Sequence, residues 1–324
     1  MWHAVGIDIG GGSTKIGLVS AGGAILRQSR IPANPGDSGD AIVARYVAAI
    51  RALIPHGVRV RGIGIGYPGP IHDTNLSGGV GNVPGLIDYP LAKALSTALQ
   101  LAVRLENDAT AAALAEARFG AGSMAKRLLM ITAGTGIGVA MIVNRQAMVT
   151  SGGCLGDAGH MIMDARGQRC RLGCIGCLEA LASAEALDII AADRSARYPD
   201  TAIARQARSE RIKATAATVI TCALEGDDDA RIILSDAGRW IGRAVASWVH
   251  TFAPDTIVIG GGLSAAGQFL LAPLEAEARR CGLSGYMAGA RFLPAEMGND
   301  AGIIGAAAQM FLPLGEATGG ELLV

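Results

Sequence analysis

The chain has 324 residues, half of them apolar and only 17% charged, with 28 Lys+Arg set against 28 Asp+Glu. That length suggests two domains of ordinary size, and so much apolar material excludes wholesale disorder. The balanced charge lacks the basic excess of a nucleic-acid binder, so no nucleic-acid partner is expected.

The N-terminus MWHAVGIDIGGG has no basic region followed by an apolar one, and no secretory signal is expected. Apolar runs such as Ile257–Ile259 are broken by glycine long before the roughly 18 residues that a membrane span needs, so no membrane partner is expected either. A cytoplasmic protein with reduced thiols follows.

Val5–Ile9 reads as a buried strand, Gly10–Gly12 as a turn and Ile16–Val19 as a second strand, with Asp8 and Lys15 flanking the turn. Asp40–Leu53 spaces its apolar residues along one helical face and is ended by Pro55. A strand around Gly62–Ile65 leads into the turn Pro68-Gly69-Pro70, and a Gly- and Asn-rich loop covers residues 72–85. Leu101–Leu105 is a short strand ended by Glu106-Asn107-Asp108, and an alanine-rich helix, Ala109–Arg118, begins directly after it. In isolation an acid at that junction also serves as a helix cap. Beside Asn107, whose amide can orient a polyol hydroxyl, Asp108 is equally placed to accept a proton.

Leu128–Thr132, Gly134–Gly136 and Ile137–Val143 repeat the strand, glycine turn, strand pattern, which points to two related α/β domains. The second half reads as mainly helical over Leu178–Arg194, Ile212–Leu224 and Asp228–Phe252. Thr256–Ile259 is a strand ending in Gly260-Gly261-Gly262, followed by a helix from about Ser264, and Ala301–Phe311 reads as a terminal helix.

Each glycine cluster alone also fits a turn with no ligand. A P-loop is absent, and the first two clusters continue into strands, which excludes a dinucleotide fingerprint. Hairpin turns whose amide N–H groups face a phosphate chain fit them, with Asp8 organising Mg²⁺ and its waters. After Gly260–Gly262 the backbone could approach a nucleoside. Between Gly159 and Glu179 the segment GHMIMDARGQRCRLGCIGCLE holds His160, Cys170, Cys174 and Cys177, half of the six cysteines lying within eight positions. Imidazole and thiolates at that spacing suit tetrahedral zinc; the alternative is three free thiols in a small-residue loop.

Together these motifs resemble the ROK family (repressors, open reading frames and sugar kinases), within the actin-like ATPases, from about Val5 to Ala307. The family's opening motif Asp-x-Gly-Gly-Thr-Asn-x-Lys is similar to Asp8–Lys15, with Gly12 and Ser13 in place of Thr and Asn. Pro68-Gly69-Pro70 and Asn82-Val83-Pro84-Gly85 match its sugar-domain motifs, and Glu106-Asn107-Asp108 the segment of its catalytic base. Gly134–Gly138 matches its second phosphate loop, Ile257–Gly262 its adenosine strand and turn, and Gly302–Ala307 its closing helix. Its zinc signature Cys-x-Cys-Gly-x2-Gly-Cys-x-Glu is met at Cys170, Gly173, Gly176, Cys177 and Glu179, but Leu172 stands at the middle cysteine. Asp157 replaces the usual Glu before His160.

The resemblance implies an α/β fold of two actin-like domains around an interdomain active-site cleft that closes on sugar. The smaller would comprise residues 1–109 plus 301–324, the larger 110–300. It implies a glucokinase-like transfer of the γ-phosphoryl group of ATP to a hexose or hexosamine, most often at O6. Asp108 would be the general base, and Gly69, Asn82, Asn107, Asp157, His160 and Glu179 would hold sugar hydroxyls. Asp8, Gly10, Gly11, Gly12, Lys15, Thr135 and Gly136 would surround the phosphates and Mg²⁺, and Gly261 and Gly262 the nucleoside. A structural Zn²⁺ would bind His160, Cys170 and Cys177, with Cys174 supplying the ligand lost at Leu172. A homodimer or homotetramer is implied. The alternative is a sugar-sensing regulator or a sugar-binding protein without kinase activity. Family repressors carry an N-terminal helix-turn-helix, and here the first strand starts within five residues of Met1.

Overall fold

The computed structural model describes residues 2–34, 36–69, 71, 83–148, 155 and 157–311. They form two compact units, one made of residues up to 119 together with those from 300, the other of residues between 120 and 299. The first unit runs to the end of a helix at Phe119.

In the first unit the order is β1 (His3–Ile9), β2 (Ser13–Ser20), β3 (Ile25–Pro32), α1 (Gly39–Leu53), β4 (Val60–Tyr67), α2 (Leu91–Leu99), β5 (Val103–Asn107) and α3 (Asp108–Phe119). The sheet runs β3-β2-β1-β4-β5: the first three strands pair antiparallel, and β1, β4 and β5 are parallel. β1 and β4 are buried along nearly their whole length, as strands covered on both faces must be. One face is filled by Ile42, Tyr46 and Ile50 of α1 with Leu91 and Leu95 of α2, against Val5, Ile7 and Ile65.

The second unit continues with β6 (Arg127–Ala133), β7 (Ile137–Val143), β8 (Gln146–Ala147), α4 (Leu178–Ala182), α5 (Ala184–Arg197), α6 (Ala202–Glu210), α7 (Ala216–Leu224), α8 (Asp228–Phe252), β9 (Thr256–Gly260), α9 (Gln268–Cys281), α10 (Ser284–Met287) and β10 (Arg291–Pro294). Its sheet order, β10-β9-β6-β7-β8, repeats the first with the same parallel and antiparallel senses. The duplication expected from the glycine turns is therefore present in the topology. Where one helix, α1, joins β3 to β4, the matching connection from β8 to β9 holds the cysteine loop and five helices, α4–α8.

α11 (Ala301–Ala308) belongs to the first unit, where Ile303 and Ala307 pack on Ala4 and Val19. Small residues let it come this close. A Cβ on Gly6 would collide with the Ile303 carbonyl, one on Gly64 with the Ala306 carbonyl, and one on Gly305 with the Ala111 carbonyl of α3.

The expected helix over Leu178–Arg194 is two helices. Ser183 caps the second by accepting from the Ala186 N–H, while the Ala184 N–H donates to the Gly134 carbonyl. The expected Ile212–Leu224 helix starts only at Ala216, where Thr215 and Thr218 form a capping box. After β9 comes a turn of 3-10 helix, Gly262–Ala266, before α9 begins at Gln268. Among the described residues, no helix is long and apolar enough to cross a membrane.

Candidate functional site

In the first unit, β1 and β2 are joined by the turn Gly10–Gly12, exposed at Gly11 and Gly12 and closed by the Gly10 N–H donating to the Ser13 carbonyl at 3.1 Å. Asp8 and Lys15 are cross-strand partners, and Lys15 Nζ lies 3.7 Å from Asp8 Oδ2. Burial pushes the Asp8 carboxyl above its ordinary pKa; Lys15 opposes this and Asp300 adds to it. Behind the turn the hydroxyls of Thr14 and Tyr46 form a buried hydrogen bond of 2.6 Å. No Cβ clash bars residue 12, so a ligand can approach the backbone there. The Tyr46 contact is not legible in the sequence, since a tyrosine on an apolar helix face reads simply as core.

At the end of β5 the two neighbouring polar residues divide their tasks. Asn107 is the cap: its Oδ1 accepts from the Thr110 N–H at 3.1 Å, and its Nδ2 donates to the Gly69 carbonyl at 3.3 Å. Asp108 opens α3, with its Oδ1 accepting from the Ala109 N–H at 2.8 Å, and is half-buried. The structure thus brings Gly69, Asn107 and Asp108 together. Asn82 lies outside the described residues.

In the second unit, the Gly134 N–H donates to the Gly136 carbonyl at 2.9 Å, closing the β6–β7 turn with Thr135 exposed at its tip. Glu179 reaches this turn from the first residues of α4, and its Oε2 accepts from the Ile137 N–H at 3.1 Å. A Cβ on Gly136 would collide with that same oxygen. Gly136 is thus the seat of a carboxylate, a role that its place in a turn motif does not reveal.

The other oxygen, Oε1, lies 3.8 Å from His160 Nε2. His160 ends a single 3-10 turn, Ala158–His160, in which its N–H donates to the Asp157 carbonyl; the Asp157 residue itself is exposed. The other ring nitrogen of His160, Nδ1, is 3.7 Å from both Cys170 Sγ and Cys177 Sγ. The ligand atoms of His160, Cys170 and Cys174 all lie within 4.8 Å of one another. Leu172 is 47% exposed and stands outside this group.

Gly173 and Gly176 take positive φ, which lets the loop fold back so that the Cys170 N–H donates to the Cys174 carbonyl. Burial, then the Cys170 sulfur, raises the Cys174 thiol, and burial raises Cys177 to about 11. His160, Cys170 and Cys174 thus form one compact donor group, while Cys177, 3.7 Å from the His160 ring nitrogen, stands outside it; imidazole and thiolates of this kind suit zinc, and binding would replace those thiol protons. Farther along, Gly261 has φ 85° and lies against the Ala133 backbone where a Cβ would collide, whereas Gly262 faces open space. Gly261 is therefore required by the fold itself.

The sequence model described as the ROK family matches residues 4–311. The glucokinase of Halalkalibacterium halodurans is 34% identical over 94% of this chain and 93% of its own length. An N-acetylmannosamine kinase of Escherichia coli is 30% identical over 96% and 98%. The structure of a ROK family glucokinase from Streptomyces griseus, in complex with glucose and AMPPNP, superposes with a TM-score of 0.82 at 30% identity, over 95% of this chain and 98% of that one. The fold is accordingly α/β with two actin-like domains. Matched from β1 to the end of its last helix, the chain belongs to the ROK family.

Proposed function

We propose that this protein is an ATP-dependent kinase of a hexose or hexosamine, acting at the 6-hydroxyl, with Asp108 as general base. The observation that carries the reading is the division of tasks at the start of α3. Asn107 satisfies the helix end and holds Gly69, while a half-buried carboxylate stands beside it at the strand terminus. The full-length likeness to glucokinases and an N-acetylmannosamine kinase supports it.

In this reading the Asp108 carboxylate takes the proton of the sugar hydroxyl as that oxygen bonds to the γ-phosphorus, the bond to the bridging oxygen breaks and ADP leaves. Gly69, Asn82, Asn107, Asp157, His160 and Glu179 hold the remaining hydroxyls. The backbone of Gly10–Gly12, Thr135 and Gly136 faces the phosphates, and Gly261 and Gly262 face the nucleoside. Asp8, beside Lys15, would hold Mg²⁺, and the ion would supply charge neutralisation on the phosphate oxygens. His160, Cys170, Cys174 and Cys177 would hold a structural zinc, whose bonds would supply rigidity to the loop that carries His160 and Glu179.

The test is ADP release over glucose, mannose and the amino and N-acetyl hexosamines, with wild type and Asp108→Asn. Turnover on one of these sugars should fall by about 10²–10⁴ in the variant, with sugar affinity retained. Near-normal kcat in Asp108→Asn would remove the base, and no turnover on any sugar would remove the activity.

A further inference from the structure

We propose that Glu179, beyond its place at the sugar, has a second, positioning role: it ties the metal loop to the second glycine hairpin, so that zinc held through His160 fixes the backbone facing the phosphates. The inference deepens the kinase reading above and rests on it for the word phosphate, while the link itself is a matter of this chain's own contacts.

Three observations converge on two adjacent residues of the hairpin, Gly136 and Ile137. The Ile137 N–H donates to Glu179 Oε2 at 3.1 Å. The Ile137 carbonyl lies directly against Gly159, where a Cβ would collide with it, so the turn carrying His160 rests on the hairpin. Gly136, next in the chain, leaves the space that the Glu179 carboxylate occupies. Ile137 is thus gripped on its N–H side by Glu179 and on its carbonyl side by the turn before His160.

The imidazole joins these grips to the metal. Its Nδ1 faces the sulfurs of Cys170 and Cys177 at 3.7 Å, and its Nε2 faces Glu179 Oε1 at 3.8 Å. A metal on Nδ1 forces the ring proton onto Nε2, where the carboxylate favours it, and a carboxylate behind a ligating histidine fixes both tautomer and ring orientation. The 3.8 Å gap is longer than a hydrogen bond, and a metal-fixed Nε2–H would draw Oε1 into one, leaving Oε2 aimed at the Ile137 N–H. Without metal the ring is free to change tautomer, and the carboxylate loses one of its two anchors. A charge-assisted hydrogen bond of this type contributes about 1.5–3 kcal/mol, so its loosening corresponds to a change of roughly 10–100-fold in local opening.

The experiment compares zinc-loaded and chelator-stripped protein as wild type, Glu179→Gln and Gly136→Ala, with zinc content and melting recorded for each. Hydrogen exchange at the Ile137 amide and the dissociation constant for AMPPNP are the two readouts. In the wild type, stripping zinc should speed exchange at Ile137 at least tenfold and weaken AMPPNP by about tenfold. In Glu179→Gln the amide oxygen still accepts from Ile137, but its NH2 meets the His160 Nε2–H donor to donor, so exchange should no longer depend on zinc. Gly136→Ala should keep its zinc yet exchange fast in both states, because the new methyl displaces the carboxylate. Unchanged wild-type exchange after confirmed zinc loss, the same zinc dependence in Glu179→Gln, or a wild type that takes up no zinc would each overturn the link. Failure of every form to bind AMPPNP would overturn the kinase reading instead, and the exchange result would still decide the link.

Discussion

Glu106 stands two positions before the proposed base, and burial pushes its carboxyl up to about 7, with the Asn107 N–H at 3.0 Å pulling partly back. A carboxyl raised in this way binds its proton more tightly in the native state than in the unfolded one. Stability therefore falls as pH rises from about 4.5 to about 7 and levels off above, a loss of about 1–3 kcal/mol once partial exposure is allowed for. Glu106→Gln removes the cost of the buried charge. It should melt several degrees above wild type at pH 8, with the gap closing toward pH 4.5; a gap independent of pH would show that Glu106 is not the titrating group. Cys174 allows a second test at this scale. With Leu172 turned outward, zinc without Cys174 would have one imidazole and two thiolates, one short of a closed structural site. Cys174→Ser should lose zinc and melt lower, and full zinc occupancy in the variant would make Cys174 a bystander.

Between elements, the closest approaches are made where glycine leaves room. At the crossing of α3 and α11, Gly305 lies against the Ala111 carbonyl, and an added methyl would have to push two backbones apart. Gly305→Ala should cost about 1–3 kcal/mol or more, whereas Gly289→Ala, which meets nothing within 4 Å, should be near neutral in matched denaturant titrations. Equal effects would refute the packing argument. The two strand–turn–strand repeats, α1 and α8 were legible in the sequence because apolar period and glycine punctuation agree there. β3 was not: its sequence ILRQSRIP is mostly exposed, and only pairing with β2 makes it a strand. The break between α4 and α5 was hidden as well, since no Gly or Pro marks it and the Ser183 cap acts together with the distant Gly134 carbonyl. At the candidate site, residue types were readable and directions were not. Cys170, Cys174 and Cys177 could be named as ligands, but that Leu172 faces solvent and that Glu179 holds Ile137 depend on how the loop folds back at Gly173 and Gly176.

At the scale of the whole molecule, the repeated sheets differ in how the chain completes them. All the strands of the second sheet and the apolar cluster around Leu129, Ile131, Leu234 and Ile257 lie between residues 120 and 299. The first unit instead needs two distant stretches of chain, because α11 covers β1, β2 and β4 and crosses α3. Arg104 reinforces the connection by donating to the Gln309 carbonyl at 2.7 Å. Without α11, Ala4, Val19 and the glycine-lined face of β1 and β4 would meet water, and a sheet left with one open apolar face does not form a stable domain. Residues 120–299 expressed alone should therefore give a single cooperative melt and, if the cysteine loop forms as described, one zinc per chain. Residues 1–119 alone should show no cooperative transition by circular dichroism, and a fusion that returns residues 300–311 through a flexible Gly/Ser linker should restore one. A cooperative melt from residues 1–119 without that segment would show that α11 is dispensable to the sheet it covers, and the close-packed glycines on β1 and β4 would then lack a structural explanation.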